Sequence, residues 1–520
     1  MYQIKNISVR LAHHPDLAKA IAHKFSIEIS DFKITKVTRR SIDSRKKNNV
    51  WLIYTVEAKF IGKVPQHADV QEIKPKKAKI IKLTEINEIN PLIIGCGPSA
   101  LFAGLALVEN GFKPIFIEQG ERIKQRDEKV NNLWLHNNLD EDSNVQFGEG
   151  GAGAYSDGKL TARNRDEFSS KVFDYLIKFG AEDKISYEAL PHLGTDGIKY
   201  VTTHIIEYLE KKGCEFRWNH KLTDVKKVKG KLHLTINDIE IAPEIALLGI
   251  GNGARELFAN MHENGVALEA KAFAIGFRIE HKQDFINKLF YGDKTDTNVT
   301  GPATYRLTAK AGEHGVYSFC MCPGGSVICA SSETNKIVTN GMSFMNRAGQ
   351  YGNSAIVATV EPKHFGEHPL AGIQLQREIE ARCYNQFYNA PAQLGKDFLR
   401  NKVSAKLNPS SYRPGLYAGN FNELFPKYVV QALKTGLKHF NKRYKGFVDN
   451  GMLIGPETRT SSPVRIVRDH TTCESTNTKG LYPMGEGAGY AGGIISSAVD
   501  GFRVASRFRL KEQSQTIKEK

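Results

Sequence analysis

Pro91-Leu92-Ile93-Ile94-Gly95-Cys96-Gly97-Pro98-Ser99-Ala100 reads as a short buried strand that runs straight into a glycine turn. An unbroken apolar run is what a strand covered on both faces needs, as in a parallel sheet. Leu101 to Glu109 then reads as a helix, and Pro114-Ile115-Phe116-Ile117-Glu118 as a second strand ending in an acid. Each position has a physical task. Gly95 permits the tight turn, Gly97 lets main chain approach a pyrophosphate, and Ala100 and Gly104 are small enough for close helix-on-strand packing. The helix start, with Pro98 and Ser99 in its first turn, offers N–H groups and partial positive charge to phosphate. Glu118, with Gln119 beside it, is placed to accept hydrogen bonds from a ribose. Strand, turn, helix, strand and acid in this order predict a dinucleotide-binding unit.

The C-terminal segment selects the dinucleotide. Gly480 to Gly493 runs from a short strand, Leu481-Tyr482-Pro483, into a turn containing Gly485 and Glu486. This resembles the two-part FAD enzymes of the glutathione-reductase-like class, in which a late strand ends in Gly-Asp and the acid holds the ribityl chain. Here Glu486 stands in the place of that Asp. Gly492, Gly493 and Ile494 would open a helix running to Arg509, its N-terminus facing the flavin pyrimidine edge, where reduction gathers negative charge. A third piece spans Gln146 to Leu160. Its Gly148, Gly150, Gly151 and Gly153 let a loop pass close to a ligand, and Phe147, Tyr155 and Leu160 anchor it. Arg126, Ser156 and Lys159 are further candidate cofactor contacts. Gly251, within Ile245 to Arg255, reads as the end of another strand of the same domain, since no helix, strand and acid follow it. FAD is therefore the expected cofactor, and an NAD(P)H partner would have no domain of its own.

The predicted fold is α/β: a Rossmann-like FAD-binding domain in two parts, 89–268 and 455–510, with an α+β substrate or cap domain inserted at 269–454. A small basic α+β module at 1–62 and a linker at 63–88 precede it. Within the module, the patterns predict a strand at Ile4 to Leu11, a helix at Asp16 to Phe25 with Pro15 in its first turn, and a strand at Phe32 to Thr38. A basic turn from Arg39 to Lys47 and a strand at Val50 to Phe60 follow. The last ten residues read as a frayed end. The 520 residues carry a net charge of +16, and residues 1–85 hold 14 Lys and four Arg against eight acids, a surplus of ten. Such a module could meet RNA through Arg39, Arg40, Arg45, Lys46 and Lys47; a well-solvated small domain is the plainer reading. No apolar run approaches the roughly 20 residues that span a bilayer. With no signal-like start, the expected location is cytoplasmic.

The chemistry is less legible. Seven scattered cysteines point to reduced thiols rather than a disulfide framework. No Cys lies between Cys96 and Cys214, where disulfide reductases carry their pair. No His/Cys spacing suggests a metal. Cys320 and Cys322 form a C-x-C before a Pro-Gly-Gly turn, readable as an electron-relaying thiol or as small strand residues. Lys159 could sit by the flavin or in solvent. Arg459 or Arg465 could hold an anionic substrate or the flavin, or form ordinary salt bridges. The stretches Gln146 to Leu160, Ser318 to Gly325, Val338 to Ser343, Gly455 to Arg465 and Gly480 to Gly501 together resemble bacterial FAD-dependent, NAD(FAD)-utilising dehydrogenases. That resemblance implies an FAD-dependent oxidoreductase, with flavin as hydride or electron acceptor and a small-molecule substrate it does not name. An RNA-directed flavoprotein is the alternative.

Overall fold

The computed structural model describes residues 1–11, 14–74, 83–161 and 167–511. At its centre is a five-stranded parallel sheet. Its spatial order is Leu481–Pro483, Ala246–Leu248, Leu92–Ile94, Ile115–Ile117, Glu215–Arg217. Leu92–Ile94 comes first in the chain, yet the second strand lies on one side of it and the fourth on the other. The strand order reverses there, and a crevice opens at the C-terminal ends of Leu92–Ile94 and Ala246–Leu248.

Both faces of this sheet are covered, which is why its strands are apolar, except the edge strand Glu215–Arg217. One face carries the helices Pro98–Glu109 and Ile494–Ala505. They pack closely: a Cβ on Gly104 would stand 2.4 Å from Phe116 Cζ, and one on Gly501 would stand 1.9 Å from the Ser99 carbonyl oxygen. The other face carries an antiparallel meander, Leu222–Val228, Lys231–Ile236 and Ile239–Ile241, and the helix Arg255–Glu263.

A second, seven-stranded sheet has the order Thr308–Ala311, His314–Cys322, Tyr351–Val360, Phe273–Lys282, Met452–Glu457, Ala390–Leu394, Leu416–Ala418. Strand alternation divides Phe273–Lys282 into two sets. Phe273, Ile275, Phe277 and Ile279 join the core under the helix Lys427–Arg443, while Arg278 and Glu280 point from the other face, buried nonetheless. The chain passes between the two sheets along an antiparallel ribbon, Leu268–Ala270 with Val464–Ile466. The strand Met452–Glu457 crosses the boundary read at 454.

The N-terminal module is a four-stranded sheet in the order Phe32–Asp43, Trp51–Phe60, Tyr2–Arg10, Val70–Glu72. Its helix is Leu17–Phe25, capped by Asp16, whose side chain accepts from the Lys19 N–H; Pro15 precedes the cap. The basic turn read at Arg39 to Lys47 begins later than its charges suggested. Arg39 and Arg40 lie in the strand, paired with Thr55 and Tyr54, because cross-strand pairing overrides local charge.

Residues 63–88 are not a plain linker. Val70–Glu72 completes the module's sheet, and Thr84–Ile86 pairs in parallel with Phe508–Leu510; residues 75–82 lie outside the described residues. That pairing also ends the last helix at Ala505 rather than Arg509. Of the ten C-terminal residues read as frayed, only Lys511 is among those described. No helix among the described residues is long and apolar enough to cross a membrane.

Candidate functional site

Three loops meet at the crevice. Gly95, at φ +99°, turns the first strand into its helix; a Cβ there would stand 2.4 Å from the Gly249 carbonyl oxygen. Gly97 is the N-cap of Pro98–Glu109, with no side-chain cap, and a Cβ on it would meet only Gly151 Cα, at an ordinary 3.8 Å. The protein itself therefore tolerates a side chain at 97, and the space in front of it is free for a ligand. The glycine-rich loop crosses this point, tied down by the Gly150 N–H donating to the Cys96 carbonyl at 3.0 Å. Gly153 lies beside Ile494, the first residue of the second helix. That helix begins at Gly493, again without a side-chain cap, and a Cβ on Gly492 would meet nothing within 4 Å.

A cleft of about 510 Å³ runs from Gly95 past Glu118 and Gln119. Glu118 is buried, and its Oε1 accepts from the Gly120 and Gly148 N–H groups at 2.9 and 2.8 Å. The far wall is made by Gly253 and by His220, Leu222 and Thr223, of which the last three carry no glycine or acid signal in the sequence. Gly251 holds φ +68° at the end of the fourth strand, and the neighbouring Asn252 Nδ2 donates to Glu486 Oε1 at 2.8 Å. Burial pushes the Glu486 carboxyl up to about 7, against the pull of Lys271 and Asn252. The turn carrying Glu486 is fixed from below: Asp500 accepts from the Gly485 N–H and from both Arg468 guanidinium nitrogens.

Uncapped helix starts, a glycine cradle and a buried acid at a strand end together fit the pyrophosphate and ribose of a flavin dinucleotide. Several residues read as cofactor contacts do other work. Arg126 is fully buried and donates to the carbonyls of Asn144, Val145, Glu149 and Gly151, so it shapes the glycine loop from behind. Ser156 Oγ accepts from the Gly158 N–H and donates to the Gly153 carbonyl, closing a turn. Ser99 and Ala100 are enclosed, with Ser99 between Gly249, Gly485 and Gly501; only their main chain faces the helix start.

The second part of the site lies where the glycine loop meets the seven-stranded sheet. Asp157 is buried; it accepts from Ser343 Oγ at 2.5 Å and from Arg347. Lys159 is not a solvated lysine: its ammonium donates to the Met321 carbonyl and lies 3.4 Å from Asp157. Arg278, fully buried, pairs with Glu457 at 3.1 Å and donates to Asn353 Oδ1 and to the Cys320 carbonyl. Cys320 is exposed and Cys322 buried. Four of the five family-like stretches, Gln146 to Leu160, Ser318 to Gly325, Val338 to Ser343 and Gly455 to Arg465, thus each bring a residue to one polar chamber. Arg278 and Asn353 belong to it without having been singled out, although the alternation of Phe273–Lys282 places Arg278 opposite the apolar set.

Arg459 and Arg465 lie elsewhere. Arg459 donates to Ser332 and to Glu380, which also binds Arg255 on both oxygens. Arg465 pairs with Glu269. Of the basic residues at the module's edge, Arg40 pairs with Glu188 and donates to the Val299 carbonyl, docking the module on the body, and Arg45 pairs with Asp43. Glu313, His314 and His364 bring ligand-type atoms within 4.8 Å of one another. The Glu361 N–H donates to His364 Nδ1, which leaves the proton on Nε2 facing Glu313, and Lys363 holds the same carboxylate. As they stand, these side chains form an ion-paired cluster.

A family match agrees with the cofactor. Residues 272–460 match the family described as FAD-dependent protein, C-terminal domain-like, and residues 1–59 match a domain of unknown function. An uncharacterized protein of Clostridium beijerinckii is 42% identical over 524 residues, 97% of each chain. Among solved structures, CtdE in complex with FAD is similar at 10% identity, covering 81% of this chain and 83% of that one with a TM-score of 0.31. A glycine oxidase of Bacillus cereus is similar at 10% identity, covering 80% and 93% with a TM-score of 0.30.

Proposed function

We propose that this chain, which belongs to the same family as its uncharacterized Clostridium relative and carries the C-terminal domain of FAD-dependent proteins, is an oxidoreductase acting on a small molecule in the chamber where its glycine loop meets the seven-stranded sheet. FAD is the cofactor; when bound it accepts or donates two electrons, and the protein binds and orients it. Glu118 and the wall at His220 to Thr223 would take the adenosine end, the start of Pro98–Glu109 the pyrophosphate, Glu486 the ribityl chain, and the start of Ile494–Ala505 the flavin's pyrimidine edge. The finer role, a dehydrogenase passing a hydride from substrate to flavin, belongs to the same proposal.

One observation carries it. The glycine loop that crosses the dinucleotide turn also supplies Asp157 and Lys159 to a buried polar sheet face bearing Arg278 and Glu457, with the exposed Cys320 beside it. Buried ion pairs and unpaired polar groups are costly in a core, and a sheet face spent on them next to a cofactor cleft suits chemistry better than stability. Among the described residues there is one sheet of dinucleotide-binding order, so a nicotinamide donor would have to reach this chamber directly.

The test is anaerobic reduction of the purified yellow protein by a panel of small donors that includes NADH and NADPH. Bleaching of the flavin by one class, lost on Lys159→Met, supports the proposal. Bleaching by none of them overturns it.

A further inference from the structure

We propose that Cys320 and Cys322 are a redox pair that cycles between two thiols and one disulfide by exchanging two electrons with the FAD. The inference rests on reading the chamber as the active centre.

Two cysteines at alternate positions of a regular strand do not bridge readily, because their Cβ atoms stand side by side about 6.6 Å apart where a disulfide needs about 3.5–4.5 Å. This strand is not regular. Phe319 pairs with Ala355 and Cys322 with Asn353, so three steps on one strand answer two on the other. The extra residue makes a bulge at the cysteines, and Cys320 takes φ +42° within it. Bulges that use this left-handed conformation ordinarily fill it with glycine, because a side chain there is strained.

Cations hold the irregular backbone. Arg278 Nη2 donates to the Cys320 carbonyl at 2.7 Å, and Lys159 donates to the next carbonyl, that of Met321. Cys322 Sγ lies 3.3 Å from the Cys320 carbonyl oxygen and 3.7 Å from Arg278 Nη2. Cys320 is the exposed member and Cys322 lies buried beside it, while Cys96, Cys214, Cys329, Cys383 and Cys473 are all buried. Although the residue as a whole is exposed, desolvation of its sulfur by the surrounding protein pushes the Cys320 thiol up to about 12, and Lys159 and Arg278 pull it down. A cysteine serving only as a small strand residue would need neither exposure nor a left-handed backbone pinned by two cations. Lys159 comes from the same glycine loop that lies over the dinucleotide turn, which joins the pair to the cofactor.

The step balances without another reactant. In the oxidising direction each thiol loses one proton, one S–S bond forms, and two electrons reduce the FAD. In the reverse direction reduced FAD returns two electrons, the S–S bond breaks and both sulfurs regain protons.

The test counts electrons and thiols on the holoprotein. After treatment with diamide and its removal, anaerobic dithionite titration should consume four electrons per wild-type chain. Cys320→Ser and Cys322→Ser should each consume two, and Cys329→Ser, a buried control, four. Alkylation with iodoacetamide before and after diamide, read by peptide mass, should show two thiols lost from the peptide bearing Cys320 and Cys322 and regained on reduction. Uptake of two electrons by the wild type, or unchanged alkylation of that peptide, would overturn the pair. A four-electron wild type that no small donor bleaches would leave the pair standing and sink the proposed function; a two-electron wild type that turns over a donor would do the reverse.

Discussion

Single glycines in this site answer to different neighbours, and that separates binding from folding. Gly95 has a left-handed φ and no room for a Cβ, so Gly95→Ala should destabilise the protein by more than about 1 kcal/mol, seen in urea denaturation. Gly97 has an ordinary φ and only Gly151 Cα before it. Gly97→Val should leave the melting temperature of the flavin-free protein nearly unchanged while the purified protein loses its yellow colour; retained flavin would refute the site. Glu486 makes a prediction in pH. Its carboxyl is raised from 4.5 to about 7 by burial, so the folded state holds the proton more tightly than the unfolded one. The stability this contributes is complete below about 4.5 and is lost as pH rises through about 7. Glu486→Gln should flatten the fall in melting temperature over that window. Glu380 runs the other way. Its burial raises the carboxyl, but Arg255 and Arg459 hold it at about 2, so its contribution is present above about 4.5 and fades as pH falls towards about 2.

At the scale of elements, the glycine loop is held by a side chain the cofactor never needs to touch. Arg126 satisfies four loop carbonyls from inside, and a single hydrogen bond to a charged group contributes about 1.5–3 kcal/mol net. Arg126→Met should cost about 2–4 kcal/mol in urea denaturation, speed proteolysis within residues 144–151, and weaken FAD binding measured by fluorescence. If proteolysis of the loop is unchanged, Arg126 is not its support. The turn at Gly485 is held in the same manner by the Arg468–Asp500 pair. In both loops, glycine gives the shape and a buried arginine fixes it.

At the scale of the whole molecule, the two large sheets are joined by a ribbon and braced by ions. Arg255 comes from a helix on the parallel sheet, Glu380 from the helix Ala371–Arg382 of the second domain, and Arg459 from the returning chain. Glu380→Ala would leave two buried guanidiniums without their carboxylate, a change worth about 3–5 kcal/mol. It should lower stability far more than Arg465→Ala, whose partner Glu269 is solvent-exposed; equal effects in urea would contradict the brace. Arg40 and its contacts with Glu188 and Val299 extend the same bracing to the N-terminal module. This uses one of the five charges that could have met RNA, and Asp43 pairs another.

What the sequence determined was local. A strand of three apolar residues, a glycine turn and a helix follow from φ restrictions and burial, so Leu92 to Glu109 could be read directly, as could Ile115 to Glu118 and the Gly485-Glu486 turn. The alternation that hides Arg278 among Phe273, Ile275, Phe277 and Ile279 was equally present in the chain, but nothing local said which face was polar for a purpose. Tertiary structure decided the rest. Only packing shows that Arg126 faces the loop's interior, that Arg459 is spent on Glu380, and that the wall at His220 to Thr223 borders the cleft. The reason is physical: a hydrogen bond between residues far apart in the chain leaves no periodic trace in either segment. The bulge at Cys320 belongs to this second class, because a register shift exists only between two strands.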